Sequence, residues 1–163
     1  IFLRPAKITD EPLLKDFFYG LSGDSLYKRF FSARKDMPHK RLQDFTAVDY
    51  SKKMVIMATV IDQDREEIIG IGQYELNSDM HSAEVALVVA DRYQGRGVGR
   101  ELLSYLILLA RKRGILGFTG EVLFENSGMV QLFEKMGFAT SKTSEEGVYI
   151  MRMLFRDEVD KRE

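Results

Sequence analysis

Cysteine is absent from the 163 residues of this chain, and histidine occurs only twice. Without cysteine the chain can form no disulfide, no thiolate metal site and no acyl-cysteine intermediate. The two histidines, His39 and His81, lie far apart in the sequence and lack the close spacing of metal ligands, so we expect both at the surface. The sequence therefore predicts a protein without a bound metal.

The chain also lacks a charge excess and a long apolar run. Its net charge is -1, which gives no reason to expect a nucleic-acid or membrane surface. No apolar run approaches the roughly 18 residues of a membrane helix, and no basic segment leads an apolar one at the N-terminus. Basic residues between Lys28 and Lys53 alternate with acidic ones, which favours a solvated helical face over a surface for an acidic partner. We expect a cytoplasmic protein that binds neither nucleic acid nor membranes.

The length of the chain fits a single domain. We assign residues 1–155 to that domain and residues 156–163 to a charged C-terminal tail. The chain begins at Ile1 rather than at a methionine, which is expected either of a domain excised from a longer protein or of a processed chain.

The apolar pattern predicts an α/β fold with a mixed, mostly antiparallel sheet flanked by helices. A short N-terminal strand precedes three helices: the first starts at Thr9-Asp10 with a capping side chain, the second buries Tyr27 and Phe31, and the third opens at Pro38. Three strands with short turns then form a meander over residues 54–89. A helix, a strand, another helix and a hairpin follow. Because a helix connects them, the strands at residues 82–89 and 118–123 should be parallel.

A glycine-rich turn at residues 94–100 joins the last meander strand to a helix. Its glycines are Gly95, Gly97 and Gly99. Glycines let backbone N–H groups approach a ligand, and a helix N-terminus adds unpaired donors and a partial positive charge. Arg96 and Arg100, one helical turn apart, and Arg92 before the turn add cations. Together these features predict a site for a ligand with more than one phosphate.

The glycine spacing differs from that of two common phosphate loops. Counted from Gly95, the sixth position of a dinucleotide fingerprint is Arg100 rather than glycine, and the Gly-Lys-Ser/Thr ending of a P-loop is absent. The match is to Gln/Arg-x-x-Gly-x-Gly, from Gln94 to Gly99. In this motif the chain resembles the GNAT family of acyl-CoA-dependent N-acetyltransferases, whose signature loop binds the coenzyme A pyrophosphate. A nucleotide-binding module with an unusual glycine turn is a weaker alternative.

Further segments resemble the same family, and the order of elements agrees over nearly the whole chain. Asn126 near a helix start and the run Leu-Phe-Glu-Lys-Met-Gly-Phe at residues 132–138 are similar to its late motif. Residues 17–32 and the pair Ala83-Glu84 resemble the Pat subgroup of protein lysine acetyltransferases, in which the GNAT domain is often fused to an acyl-CoA synthetase-like domain. The resemblance implies the GNAT acyl-CoA N-acyltransferase fold, acetyl-CoA as cosubstrate and a fused domain of that kind.

The resemblance also implies a coenzyme site around the glycine turn. The backbone of residues 87–89, which by sequence alone is the core of a buried strand, would pair with the pantetheine arm and polarise the acyl carbonyl. Asn126 is by position an N-cap, and in the family its side chain often also contacts coenzyme A. The predicted coenzyme-binding residues are Leu87, Val88, Val89, Gln94, Gly95, Arg96, Gly97, Val98, Gly99, Arg100, Asn126 and Phe133.

Glu84 is the candidate general base. It interrupts an apolar strand, and a carboxylate near an apolar core tends to have a raised pKa. By position alone, a glutamate that faces solvent or pairs with a lysine of the neighbouring strand is an equal alternative. In the Pat-like subgroup the glutamate at this position takes the amine proton, directly or through water.

Phe133 departs from the family pattern, which usually has a tyrosine that can protonate the leaving thiolate. Since phenylalanine has no such proton, either Ser127 or a water supplies it, or no acid is needed. By position Phe133 is also a core residue. Three functions stay open: acetyl transfer to a protein lysine, acetyl transfer to a small amine, and acyl-CoA sensing without catalysis. We favour the first, by direct attack of the amine on acetyl-CoA.

Overall fold

The computed structural model of the protein describes residues 1–30 and 39–157. Within these residues one seven-stranded sheet is formed by β1 (Phe2–Pro5), β2 (Lys53–Asp62), β3 (Arg65–Leu76), β4 (Ser82–Val89), β5 (Gly117–Leu123), β6 (Phe138–Glu145) and β7 (Val148–Asp157). The helices are α1 (Glu11–Tyr19), α2 (Gly23–Phe30), α3 (His39–Thr46), α4 (Val98–Lys112) and α5 (Ser127–Lys135). The predictions for Phe31, Pro38 and the side chain of His39 lie outside the described residues.

The sheet confirms the predicted strand topology. Its order is β1-β2-β3-β4-β5-β7-β6. Neighbouring strands are antiparallel except β4 and β5, which are parallel. The parallel pair is the one that α4 connects, since a strand that returns through a helix can run in the same direction as its neighbour.

Helices cover both faces of the sheet and form two apolar cores. On one face Phe18 of α1 and Leu42 of α3 pack with Met57 of β2. On the other face Leu106 of α4 and Phe133 of α5 belong to a larger cluster. The burial of these apolar side chains, which stabilises the domain, holds α2 and α4 on opposite faces of β4.

A glycine in β3 lets α4 approach the sheet closely. A Cβ atom at Gly72 would lie 2.7 Å from Leu87 Cδ2 and 2.8 Å from Leu106 Cδ1, which is closer than two carbon atoms can pack. Because this side chain is absent, α4 packs directly on β3 beside β4. The N-terminus of α4 is thereby fixed next to the end of β4.

Three local predictions need correction. The helix α1 has Asp10 at its N-cap position, but no side chain caps it. Tyr27 of α2, predicted to be buried, is 42% exposed, because the apolar contact of α2 is made by the fully buried Leu26. The last strand, which the sequence predicts to end at Phe155, extends to Asp157; residues 158–163 lie outside the described part.

The Asp10 carboxylate takes part in an ion cluster instead. It accepts hydrogen bonds from both terminal nitrogens of Arg4, each at 2.8 Å, and from the Lys7 backbone N–H at 2.7 Å. Arg4 also donates to both oxygens of Glu66, at 3.0 and 2.9 Å. Burial raises the pKa of Asp10, but the hydrogen bonds from Arg4 and Lys7 outweigh it and hold this pKa below its ordinary value.

We expect Arg4→Met to lower the free energy of unfolding by about 3 kcal/mol at pH 7, because it leaves the Asp10 carboxylate, only 3% exposed, without its partner. Because the pKa of Asp10 is lower in the folded than in the unfolded protein, this difference from wild type should shrink as the pH falls below about 4. Urea denaturation measures it. Lys142→Met, which breaks the exposed 3.5 Å pair with Glu134, should cost less than about 1 kcal/mol. An equal loss in both variants, or no pH dependence, would contradict the assignment.

Candidate functional site

The site is built around a gap between the parallel strands β4 and β5. Their register covers three residue pairs, Ser82 with Gly117, Ala83 with Phe118 and Glu84 with Thr119. On its other edge β4 stays paired with β3 as far as Val89. The second half of β4 therefore borders β5 without a continuing ladder, and cavities open at this place.

The glycine turn presents backbone donors to one of these cavities. Gly95 and Gly97 have φ angles of +75° and +88°, which glycine adopts at little cost. The first helical bond of α4 runs from the Glu101 N–H to the Gly97 carbonyl at 3.0 Å, and no side chain caps this helix. The N–H groups of residues 98–100 precede that bond and are available to an anion, as the sequence predicts.

A cavity of about 440 Å³, called here the glycine-turn cavity, lies between this turn, the end of β4 and helices α2 and α5. It contains most of the predicted coenzyme-binding residues. Those that line it are Leu87, Val88, Val89, Gln94, Gly95, Gly97, Val98, Gly99, Arg100 and Asn126. The structure thus brings two separate motifs, one before α4 and one before α5, to a single space.

The charge of the glycine-turn cavity is positive. Its described lining includes the basic residues Lys28, Arg29, Arg100 and Lys135 and no acidic residue. Asn126 caps α5 by accepting the Met129 N–H at 3.4 Å, which confirms the predicted N-cap. Two helix N-termini and four cations therefore surround this space, and an anion is favoured there.

Two of the predicted cations, Arg92 and Arg96, do not line the glycine-turn cavity. The helix α4 begins at Val98, so Arg96 precedes it and is not one helical turn before Arg100. The Arg96 guanidinium lies 5.5 Å from the centre of the Tyr93 ring, and Arg96 is not among the residues lining the glycine-turn cavity. Arg92 forms an ion pair with Glu67. The sequence could not show these contacts, since rings and carboxylates compete with phosphate for the same cations.

Phe133 forms a wall of a smaller cavity of about 40 Å³, called here the strand-gap cavity, between β4, β5 and α5. Its ring is 1% exposed, and its Cζ atom would lie 3.3 Å from a Cβ atom at Gly120 of β5. It is therefore a core residue that also borders the gap. The two cavities share lining residues, among them Lys28, Arg29 and Leu87.

Glu84 lies in a third cavity of about 170 Å³, on β3 and β4, that also contains Gln73, Glu75 and Arg29. The residue is exposed, so the expectation of a carboxylate near an apolar core is wrong. Its cross-strand neighbour is Glu75 rather than a lysine, and within residues 1–30 and 39–157 its side chain has no ion pair. We call this space the Glu84 cavity.

Several lining residues were not predicted from the sequence. They are Ser25, Lys28, Arg29, Tyr93, Gly128, Met129, Gln131, Leu132 and Lys135. Lys28 and Arg29 were assigned to a solvated helical face, yet both are half-buried. Lys28 and Arg29 follow Ser25 by three and four residues, which places all three on one helical face. This spacing could have been used to predict that they line the same site. Which face points into the site follows from the packing of α2 and could not be deduced locally.

The described residues contain no group of three or more His, Asp or Glu side chains that could hold a metal ion. Likewise, none of the helices in the described part is long and apolar enough to cross a membrane. The exposed position of His81 agrees with its prediction as a surface residue.

The sequence profile of the acetyltransferase (GNAT) family matches residues 22–138. This range spans the glycine turn, the strand gap and the helix that carries Phe133. The chain belongs to the GNAT family.

Similar proteins agree with this GNAT assignment. Acetyltransferase Pat of Mycolicibacterium smegmatis is 32% identical over 142 residues, which are 83% of this chain and 40% of that protein. The GNAT domain of S. lividans PAT is 30% identical, with a TM-score of 0.85 over 94% of this chain and 89% of that one. Spermidine N-acetyltransferase from Vibrio cholerae, in complex with CoA and spermine, shares the fold at 19% identity, with a TM-score of 0.73 over 97% of each chain.

These comparisons confirm the predicted family, the fold class and the enzyme class of a GNAT N-acetyltransferase. The structural matches cover nearly the whole described sheet and both helical layers. The roles of individual residues in this GNAT protein stay predictions, and they rest on the geometry given above.

We expect opposite stability effects from adding a methyl group at two glycines of the glycine-turn cavity. Gly97→Ala should lower the free energy of unfolding by about 1 kcal/mol, because its φ of +88° strains any residue with a Cβ atom. Gly128→Ala, in α5 with open space around it, should raise it by about 0.5 kcal/mol through helix propensity. Urea denaturation compares them. A Gly97→Ala variant as stable as wild type would show that the turn does not need its left-handed residue.

Proposed function

We propose that this GNAT protein transfers the acetyl group of acetyl-CoA to the side-chain amine of a protein lysine, with Glu84 as the general base. The observation that carries the proposal is the meeting of two unlike cavities at one strand gap. The basic glycine-turn cavity and the acidic Glu84 cavity both adjoin the strand-gap cavity, and Arg29 lines all three.

The glycine-turn cavity suits the anionic coenzyme. The N–H groups of residues 98–100 and the Arg100 side chain would hold the diphosphate, since unpaired amides at a helix start favour anions. The backbone edge of β4 at residues 87–89 would pair with the amides of the pantetheine arm, which places the thioester at the strand gap. The Vibrio cholerae enzyme in complex with CoA supports a coenzyme of this class in the fold.

The reaction needs a base more than an acid. The amine nitrogen attacks the thioester carbonyl carbon, the carbon–sulfur bond breaks, and the amine proton passes to Glu84 directly or through a water. Holding a lysine amine neutral at pH 7 costs about 4.6 kcal/mol, because its pKa is about 10.4. The departing thiolate, with a pKa near 8.5, needs little help. The stronger need for a proton acceptor than for a proton donor fits a site that has Glu84 as base and Phe133 in place of a tyrosine.

The Glu84 cavity suits an amine acceptor. Glu84 and Glu75 lie opposite each other on adjacent strands, where like charges repel. An ammonium group has three donors and no acceptor, so it complements the oxygens of these two carboxylates. The choice of a protein lysine rests on the Pat-like segments and on the similarity to the Pat proteins.

Glu84→Gln should reduce kcat by at least about 100-fold and leave the Kd for coenzyme A within about twofold, because only the proton acceptor is lost. Glu75→Gln is the matched control. It removes a carboxylate from the same cavity, but from β3, one strand farther from the gap, and should keep most of kcat. Thiol release and calorimetry measure the two quantities. Undiminished turnover in Glu84→Gln would refute its role as base.

The acceptor class is tested by mass spectrometry. Lysine-containing protein substrates and the polyamine spermidine are each incubated with acetyl-CoA and the enzyme. We expect acetylation of lysine Nζ with a higher kcat/KM than for spermidine; the reverse order would favour the small-amine function. The fused acyl-CoA synthetase-like domain implied by the Pat resemblance stays a prediction.

A further inference from the structure

Asp91 binds the start of α2 through three hydrogen bonds. This residue follows β4 and opens the 3₁₀ turn Asp91–Tyr93 that leads into the glycine turn. Its carboxylate accepts the Ser22 N–H at 3.1 Å, the Ser22 hydroxyl at 2.7 Å and the Ser25 hydroxyl at 3.0 Å. A helix from one side of the sheet is thus joined to the loop that forms the glycine-turn cavity.

Gln94 extends this connection into the glycine turn. Its Nε2 atom donates to the Ser25 hydroxyl at 3.1 Å and to the Val89 carbonyl at 3.0 Å. Ser25 is only 6% exposed, so these bonds lie in a sheltered place. Gln94 was predicted to contact coenzyme. In the structure its side-chain amide nitrogen links the turn, β4 and α2.

The same face of α2 carries two cations into the site. Lys28 and Arg29 follow Ser25 by three and four residues, which places all three on one side of the helix. Both basic residues line the glycine-turn cavity and the strand-gap cavity. Their placement therefore depends on how the start of α2 is held.

The helix has few means of fixing its own orientation. It has eight residues, and a helix of that length is marginal without tertiary contacts. Leu26 is fully buried in the core beneath it and holds α2 against the sheet. At the other end of α2 the Phe30 ring packs on Phe18, with ring centres 5.6 Å apart. Apolar contacts are non-directional, whereas the hydrogen bonds to Asp91 are directional and fix the first turn of the helix.

We propose that Asp91 is a positioning residue for the coenzyme: by holding the start of α2, it fixes Lys28 and Arg29 over the cavity that binds the anionic ligand. This inference rests on the proposed function. Asp91 itself is not among the residues that line the glycine-turn cavity, so its negative charge does not face the ligand there, and it acts through α2.

The ionised state of Asp91 supports this role. Burial raises the pKa of its carboxyl group, but hydrogen bonds from Ser22 and Ser25 lower it below its ordinary value. The group is therefore charged at neutral pH, and hydrogen bonds to an ionised acceptor are shorter and stronger than those between neutral groups.

A double-mutant cycle tests the inference. The Kd for coenzyme A is measured by calorimetry for wild type, Asp91→Ala, the pair Lys28→Gln with Arg29→Gln, and all three changes together. We expect each of the first two changes to weaken binding about tenfold, and the combination to weaken it by little more than either, because both remove the same contacts. Multiplicative losses, near 100-fold together, or unchanged binding in Asp91→Ala would overturn the role.

Asp79→Ala is the matched control. Asp79 is likewise an exposed aspartate in a turn, where it accepts the His81 N–H at 2.8 Å and the Ser82 N–H at 3.0 Å, but it does not line the glycine-turn cavity. Its removal should leave the Kd within about twofold of wild type. If Asp79→Ala weakened coenzyme A binding as much as Asp91→Ala, a general loosening of the protein would explain both losses. That result would also overturn the proposed role of Asp91.

If Asp91→Ala does not fold, Asp91→Asn replaces it in the cycle. Asparagine keeps one acceptor oxygen, so we expect a loss of about threefold that again disappears when Lys28 and Arg29 are already replaced; a loss that persists would overturn the role. Wild-type protein that fails to bind coenzyme A would instead refute the proposed function itself. Normal wild-type binding with no effect of either Asp91 variant would refute this inference alone.

Discussion

The structure depends on the early separation of two parallel strands. After Glu84 and Thr119 the pairing of β4 with β5 ends, while β5 continues beside β7 as far as Leu123. Backbone N–H and C=O groups of a strand require partners, and a ligand with amide groups can supply them along an edge that no strand covers. The gap is therefore both an interruption of the sheet and the place where the three cavities meet.

The charges differ between the cavities that adjoin this gap. Cations from α2, α4 and the end of α5 surround the glycine-turn cavity, and the carboxylates of Glu84 and Glu75 lie in the Glu84 cavity beside Arg29. In the proposed function the anionic coenzyme binds in the first cavity and the cationic amine in the second, and they meet where the thioester lies. Arg29, which lines all three cavities, depends on the Asp91 contacts for its place.

Local patterns predicted the elements but not the long-range contacts. The meander, the parallel strand pair and the Asn126 cap follow from alternation, connection length and cap chemistry, which a short stretch of sequence contains. Asp10 lies at the start of α1, but its side chain does not cap the helix, because it binds Arg4 of β1, a contact that a local pattern cannot show. The position of Lys28 and Arg29 at the site was missed because the orientation of α2 depends on long-range contacts, among them the hydrogen bonds to Asp91. The exposure of Glu84 was misjudged because Ala86 and Val88, which share its face of β4, are apolar, whereas the core covers that face only at Val88.

Backbone amide NMR during titration with acetyl-CoA tests the central claim most directly. The account predicts that the largest chemical-shift changes fall on Val98, Gly99 and Arg100, whose N–H groups precede the first bond of α4, and on residues 87–89 beside the gap. The account is contradicted if these amides do not respond, or if the changes gather instead at the separate cavity lined by Asp16 and Glu66.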